Sequence, residues 1–389
     1  MTTNHGWLRL ARTLYGDAEE TITAEPNASL RLDLALAALE FSRATGEDFG
    51  AEGHLRSALD LLRAQSGVGP WLYGGAAQAG WVAIRLAESR GTAVSGLAAI
   101  DETVLGWATD FPAERDIDLP MGLLGLGVYG LAHPDPGYRE KLTAEVLDRV
   151  AERTKHDDNG RFVQLGTSEA RIADQSAGAR IIGVAHGTAG LVSYLASAAA
   201  ADPAQRPRAR ALLDECLRWL LRQRNGGHGS VFPHRVETRY APTRATWCSG
   251  DPGAAAALRV AERATGDRAA GEVARAAARA VVHRPDEDTG VVDGCVCHGA
   301  AGLVWFGRFA SDHLGTAGAR GDSAHWAKRL ARWREAGPLI YFGPAGWVRN
   351  ASFLEGDIGA ALALLYAATG TNPLWSDLLL AAPITAAPG

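Results

Sequence analysis

The sequence is short of several things that would each dictate a fold or a function. Cysteine is scarce: four in 389 residues, Cys216, Cys248, Cys295 and Cys297. That is too few for a disulfide scaffold, and a chain of this length does not need one. A charge excess of one sign is also missing. The formal net charge is −5, which gives no electrostatic reason to expect nucleic acid or an anionic membrane as partner. No apolar run approaches the ~18 residues of a membrane span. The start, "MTTNHGWLRLARTLYGD", lacks a basic, apolar and small-residue cleavage pattern, so no signal peptide is expected. Strand-like alternation is confined to "RFVQL" (161–165) and "SVFPHRVETRY" (230–240). A carboxylate pair at glycosidase spacing is absent, as is an Asp-Asp-x-x-Asp motif, which argues against sugar hydrolysis and terpene cyclisation. "HDDNG" (156–160) reads as a solvated turn. These absences leave a soluble, cytoplasmic chain with free thiols, where clustered Cys and His point to metal binding or catalysis.

What is present is helix and glycine. The chain is 47% hydrophobic and 21% charged, enough apolar residues for a large core. Apolar residues recur at helical spacing in "LRLDLALAALEFSRAT" (30–45), "REKLTAEVLDRVAERT" (139–154), "RPRARALLDECLRWLLRQR" (206–224) and elsewhere. The helices are punctuated by one repeated signal, a Gly-x-x-Gly turn that opens an Ala/Leu-rich helix. It occurs in "PMGLLG", "AHGTAG", "CSGDPG", "CHGAAG" and "LEGDIG", and in a degenerate form, "YGGAAQAG", with Gln78 at the second glycine position. The period, roughly 50–65 residues, is that of a helical hairpin. A seventh copy without a glycine turn is expected in the helices at 28–62. The first glycine of each turn is expected to supply a positive φ, and the second a close approach. Repeated hairpins stack openly or close into a ring. Closure would gather the turns, and whatever side chains they carry, at one end of a central axis. No linker divides the chain, so residues 1–389 are expected to form a single all-α domain.

Three turns carry reactive side chains. "WCSG" supplies Cys248, "CVCHG" supplies Cys297 and His298, and "AHG" supplies His186. Cys248 and Cys297 lie about one repeat apart, so equivalent turns of adjacent hairpins would set them side by side. Two thiols and an imidazole suit Zn²⁺, and three protein ligands with one open position is the pattern of a catalytic site. Cys295 is a bystander or a fourth ligand closing a structural site. Cys216, inside "LLDECLRWLL", is a core residue. The polar stretch 156–180 is a surface loop or a substrate-contacting flap. The tryptophans near turns, Trp71, Trp81, Trp247, Trp305 and Trp347, line a groove or fill the core.

Through "AHGTAG", "WCSG", "CHGAAG" and the glycine repeats, the chain resembles the LanC-like lanthionine synthetase cyclases over essentially its full length. The resemblance implies an α/α barrel, a toroid of about seven helical hairpins, with one zinc held by Cys248, Cys297 and His298. It also implies roles for Arg244, four residues before the cysteine in "RATWC", and for Asp118 in "DLPMG", with Asp116 as its stand-in. Ser249 stands where some members have a tyrosine. The implied activity is thioether ring formation: a cysteine thiolate of a dehydrated precursor peptide adds to dehydroalanine or dehydrobutyrine. A lanthipeptide dehydratase is an implied partner. In that reaction His186 is the best general acid for Cα, Arg244 would stabilise enolate charge, and Asp118 would hold the histidine or take the thiol proton. Two alternatives share the motifs: a LanC-like glutathione transferase acting on dehydroamino acids, and a non-catalytic zinc-bound scaffold.

Overall fold

The computed structural model describes residues 4–64, 69–166, 178–225, 229–238, 240–343 and 346–384. Fourteen α-helices run through them. In chain order they are α1 (Asn4–Ala24), α2 (Ala28–Thr45), α3 (Ala51–Ala64), α4 (Ala76–Ser89), α5 (Ala98–Thr109), α6 (Leu123–Ala132) and α7 (Pro136–Arg153). There follow α8 (Thr188–Ala201), α9 (Arg206–Leu221), α10 (Asp251–Thr265), α11 (Arg268–Val282), α12 (Ala300–Leu314), α13 (Ala319–Glu335) and α14 (Asp357–Thr369).

The even-numbered helices are the buried ones by composition. Six of the seven even-numbered helices open on the expected glycine turns, and α2 is the expected seventh. All ten residues of α6 are buried, as are most of α8 and α14. A helix apolar on every side belongs inside. The helices that follow them, such as α7 and α9, bury only a stripe and carry their Arg and Glu on the open face. The second repeat element is therefore legible as a buried helix plus an amphipathic partner. Helix α2 has no glycine turn because a side chain caps it instead: Asn27 Oδ1 accepts the N–H of Leu30 at 3.1 Å.

The described residues pack as two compact units, each assembled from discontinuous segments. The first comprises Met1–Gly67, Arg244–Trp247 and Val281–Leu374; the second comprises Val68–Thr243, Cys248–Ala280 and Trp375–Gly389. In the first unit α1 packs along α14, and α14 also meets α12 and α2. An ion pair from Arg334 to Asp17 (2.9 Å) pins α1. The Asp33 carboxylate on α2 accepts the N–H of Phe353 (2.9 Å), tying the turn before α14 to α2.

In the second unit the buried helices follow one another side by side, α4 against α6, α6 against α8, and α8 against α10. Glycines make this possible. A Cβ at Gly80 would strike the Tyr129 ring, and one at Gly127 the Tyr194 ring. Each tyrosine of the next helix thus fills the notch left in the one before. Gly80 explains the irregular "GAAQAG": its notch is kept, while Gln78 uses its Oε1 to accept the N–H of Gly74 (2.5 Å). The tail after α14 belongs to this unit, held by Arg85 against Asp377 (2.6 Å) and by the Ser193 hydroxyl donating to Leu380 O (2.6 Å).

Strand is minor. One antiparallel ribbon pairs Lys155–Asp157 with Gly160–Phe162, and another pairs Tyr341–Gly343 with Gly346–Val348. "RFVQL" overlaps the first ribbon, and "HDDNG" makes its turn, closed by Asp157 Oδ1 accepting from Asn159 N (2.8 Å). The described residues of "SVFPHRVETRY" do not form a strand: they contribute one isolated bridge, Ile181 to Arg235, and a short 3₁₀ turn. Its Pro233 and its side-chain-anchored loop compete with ladder pairing. The second ribbon was not expected from the pattern. Of the polar stretch 156–180, residues 167–177 lie outside the described residues, and with them the flap expectation. Trp81, Trp247 and Trp305 are core residues, whereas Trp347 is 51% exposed. No helix among the described residues is long and apolar enough to cross a membrane.

Candidate active site

Each glycine-opened helix is entered through the same turn. Its N-cap glycine (Gly75, Gly122, Gly187, Gly250, Gly299 or Gly356) is extended, with φ between −109° and −149°. The expected positive φ is therefore wrong for these positions. Glycine is required there for space. The chain doubles back so that an earlier carbonyl lies where a Cβ would be: 2.5 Å from Asp116 O at Gly122, and 2.5 Å from Ile181 O at Gly187. The second glycine meets the same constraint, as at Gly125 against Leu119 O (2.5 Å). The doubled-back strand of chain then caps the helix with backbone alone. Thr188 N donates to Ile181 O (3.0 Å), Ala300 N to Asp293 O (2.8 Å) and Asp357 N to Asn350 O (2.9 Å). These bonds meet N–H groups that a helix start leaves without partners.

The two residues just before each cap glycine sit at the head of the turn. They are Tyr73–Gly74, Pro120–Met121, Ala185–His186, Cys248–Ser249, Cys297–His298 and Leu354–Glu355. Within the second unit, Ala185 N donates to Cys248 O (3.0 Å) and Leu119 N to Ala185 O (2.9 Å). Within the first, Cys297 N donates to Leu354 O (2.9 Å). Successive turns are thus stitched through their heads, which fixes the reactive residues on rigid backbone rather than on free loops.

In the second unit the stitching brings Asp118 to His186. The His186 Nδ1 lies 2.7 Å from Asp118 Oδ2; the aspartate side chain is 1% exposed and the imidazole 32%. A carboxylate only accepts, so Nδ1 carries the hydrogen of this bond. Asp118 Oδ1 accepts the N–H of Met121 (3.1 Å), which locks the carboxylate. Asp118 does not cap a helix; Gly122 does. Asp116 is turned elsewhere: its Oδ1 accepts from Gly166 N (2.8 Å), and burial pushes its pKa up, with the neighbouring Asp118 adding to the rise. Cys248 is half-buried and its Sγ lies 3.7 Å from the Ser249 hydroxyl. His234, which the sequence did not single out, belongs to the same neighbourhood. Burial chiefly lowers its pKa, with Cys248 opposing and Arg235 and His186 adding to the fall. Its backbone is set by Ile182 N donating to His234 O (3.2 Å).

In the first unit the head of the turn before α12 presents Cys297 and His298, both half-buried. Behind them lies Asp293, whose side chain has no exposed surface. His298 Nε2 is 3.5 Å from Asp293 Oδ2. Asp293 Oδ1 accepts from Cys295 N (3.0 Å), and Oδ2 accepts from Phe342 N (3.1 Å). Burial alone would raise the Asp293 pKa, but His298 and these N–H donors bring it down to about 2. Cys295 is fully buried and its Sγ accepts the backbone N–H of His298 (3.3 Å). Burial pushes its thiol up to about 11. Arg244 is exposed, its Nε donating to Gly290 O (2.9 Å). Of the four cysteines, Cys216 and Cys295 are buried, and the two accessible ones are the two at turn heads. Asp293 was missed because an aspartate ahead of a glycine reads as turn chemistry. Its place at the doubled-back start of the turn, shared with Asp116, is the signal that would have found it.

The comparisons with known proteins agree with this architecture. A family model described as lanthionine synthetase C-like protein matches residues 34–380. Among solved structures, the chain is similar to a nisin cyclase, with a TM-score of 0.71 and 18% identity over 96% of this chain and 97% of that one. That likeness shows the fold, an all-α chain of the α/α-barrel class. An α-1,6-mannanase variant from Salegentibacter in complex with α-1,6-mannotriose aligns over 93% of this chain and 98% of its own, at 12% identity and a TM-score of 0.48, too low to carry an argument. No curated protein matches the chain by sequence. The chain belongs to the lanthionine synthetase C-like family.

Proposed function

We propose that this chain is a zinc-dependent lanthipeptide cyclase, joining cysteine thiols of a dehydrated precursor peptide to dehydroalanine or dehydrobutyrine. The observation that carries the reading is the His186–Asp118 pair at 2.7 Å, on a glycine turn of a chain in this family. Cys248, Cys297 and His298 would hold the zinc. Two thiols and an imidazole fit that ion, and the two cysteines occupy the same head position in their respective turns. Zinc, when bound, would favour the thiolate of an incoming cysteine over its thiol.

The chain's own residues then complete an addition without redox change. The sulfur forms a bond to Cβ as its proton leaves to solvent, and the C=C electron pair moves toward Cα and the neighbouring carbonyl. His186 returns a proton to Cα from Nε2, the ring nitrogen that Asp118 does not hold. Asp118 keeps the hydrogen on Nδ1 and the ring in place, the role its geometry supports over that of thiol-proton acceptor. Arg244, exposed and anchored by one bond, would meet enolate charge only with substrate present. The discontinuous make-up of both units supports treating the chain as one domain in solution. The substrate peptide, and a dehydratase that supplies it, are the partners this chemistry requires.

The test is purified protein with a dehydrated precursor peptide, following loss of free thiol and metal content together. Ring closure with one zinc per chain supports the reading. Thiol addition from glutathione with no ring closure would assign the transferase activity instead, and neither reaction would leave a scaffold.

A further inference from the structure

We infer that Asp293 is a positioning residue for the metal-ligating histidine: by facing Nε2 of His298 it assigns Nδ1 to the metal. The inference rests on the zinc reading above. Its structural basis lies wholly within the first unit. The Asp293 carboxylate is fully enclosed and lies 3.5 Å from His298 Nε2. It is itself immobilised from two sides, by Cys295 N on one oxygen and Phe342 N on the other. A Cβ at Gly299 would strike this carboxylate, so the glycine that opens α12 also makes room for it. The peptide of His298 is held separately, its N–H donating to Cys295 Sγ. Ring and backbone of the ligand are thus each fixed by a different buried group.

Asp293, Cys295 and His298 have ligand atoms within 4.8 Å of one another and would themselves offer a metal site on donor type alone. Their hydrogen bonds argue for a supporting role. Both Asp293 oxygens already accept backbone N–H groups, and the Cys295 sulfur accepts another. Only His298 of the three reaches an accessible surface. The arrangement is that of a ligand imidazole with its second nitrogen held by a carboxylate. Such partners orient the ring, and their loss typically costs 10–100-fold in metal affinity.

The experiment uses the full chain. Zinc affinity is measured by chelator competition for wild type and Asp293→Asn. Weakening of about 10–100-fold is expected, and an affinity within about twofold of wild type would overturn the inference. A wild type that binds no zinc would instead overturn the zinc reading itself, so the two failures are distinguishable. Because an amide has a single acceptor oxygen, Asp293→Asn also loses the bond from Cys295 N or from Phe342 N, so a second measurement avoids the variant. Imidazole nitrogen NMR of zinc-loaded wild type, with His298 assigned by its loss in His298→Gln, should show Nε2 protonated and Nδ1 metal-bound. The reverse assignment also overturns the inference.

Discussion

Two histidines occupy the same position, one residue before a cap glycine, in different units of the molecule. His186 meets a carboxylate through Nδ1, at 2.7 Å, and His298 through Nε2, at 3.5 Å. The carboxylates come from different places. Asp118 reaches His186 from the preceding turn, 68 residues away in sequence, whereas Asp293 stands at the start of the same turn as His298. One backbone motif therefore presents opposite ring nitrogens, depending on the side from which the aspartate arrives. The head residue beside each histidine differs in the same sense: Ala185 in one turn, Cys297 in the other. A ring with Nδ1 held and no thiol beside it suits proton transfer; a ring with Nε2 held and a thiol beside it suits metal binding. The turn supplies rigidity, and the side chains around it divide the labour.

This division is open to being broken. The largest effect is expected for Cys297→Ala: bound zinc is lost, and ring formation falls by about three orders of magnitude or more, since the metal's contribution is several kcal/mol. Metal analysis alongside a thiol-consumption assay checks both, and retained stoichiometric zinc would contradict the ligand assignment. His186→Asn should separate the two turns. Zinc stays bound while ring formation falls about 10²–10⁴-fold, the usual range for a lost general acid. A parallel loss of zinc would mean that the histidines are not functionally distinct. A smaller change is expected for Asp118→Asn, about tenfold to a hundredfold in kcat with KM and zinc content little altered, because the ring remains but its placement loosens. A change confined to KM would point to substrate binding instead.

The sequence made much of this legible, for reasons that differ by feature. The buried helices declared themselves because Ala, Gly and Leu fill every face, and the turns because glycine recurs at a fixed period. His186, Cys248, Cys297 and His298 were found because they sit at the two adjacent register positions just before the cap glycines of that repeat. The second glycine of each turn serves close approach, as expected, but the first was misread. Its extended φ serves close backbone approach as well, a long-range fact that no local propensity encodes. The second ribbon, Tyr341–Gly343 with Gly346–Val348, was missed because three-residue strands are too short to show alternation. Asp293 was missed because an aspartate next to a glycine reads as turn chemistry, and His234 because it sits in a segment whose alternation suggested a strand. Asp118 was placed by motif, but its pairing with Nδ1 needed the fold.

The smallest expected effect concerns the aspartates themselves, because the doubled-back start of two turns carries one in each unit. Asp293 is surrounded by donors and its pKa falls to about 2. Asp116 has one donor, Gly166 N, while its Oδ2 is buried without a hydrogen-bond partner, and burial raises its pKa. An acid whose folded pKa lies above its unfolded value binds its proton more tightly in the native state. Its contribution to stability is greatest below the unfolded pKa, about 3.9, and is lost as pH rises through the folded value. Asp116→Asn keeps an oxygen for Gly166 N and removes the charge. The variant should therefore melt at about the wild-type temperature near pH 4, and about 1–2 °C above it at pH 8, a modest gain because the group is partly solvated. Thermal melts at both pH values check this. A variant equally or less stable at pH 8 would show that the Asp116 charge is compensated, and that the two turn-start aspartates are electrostatically alike.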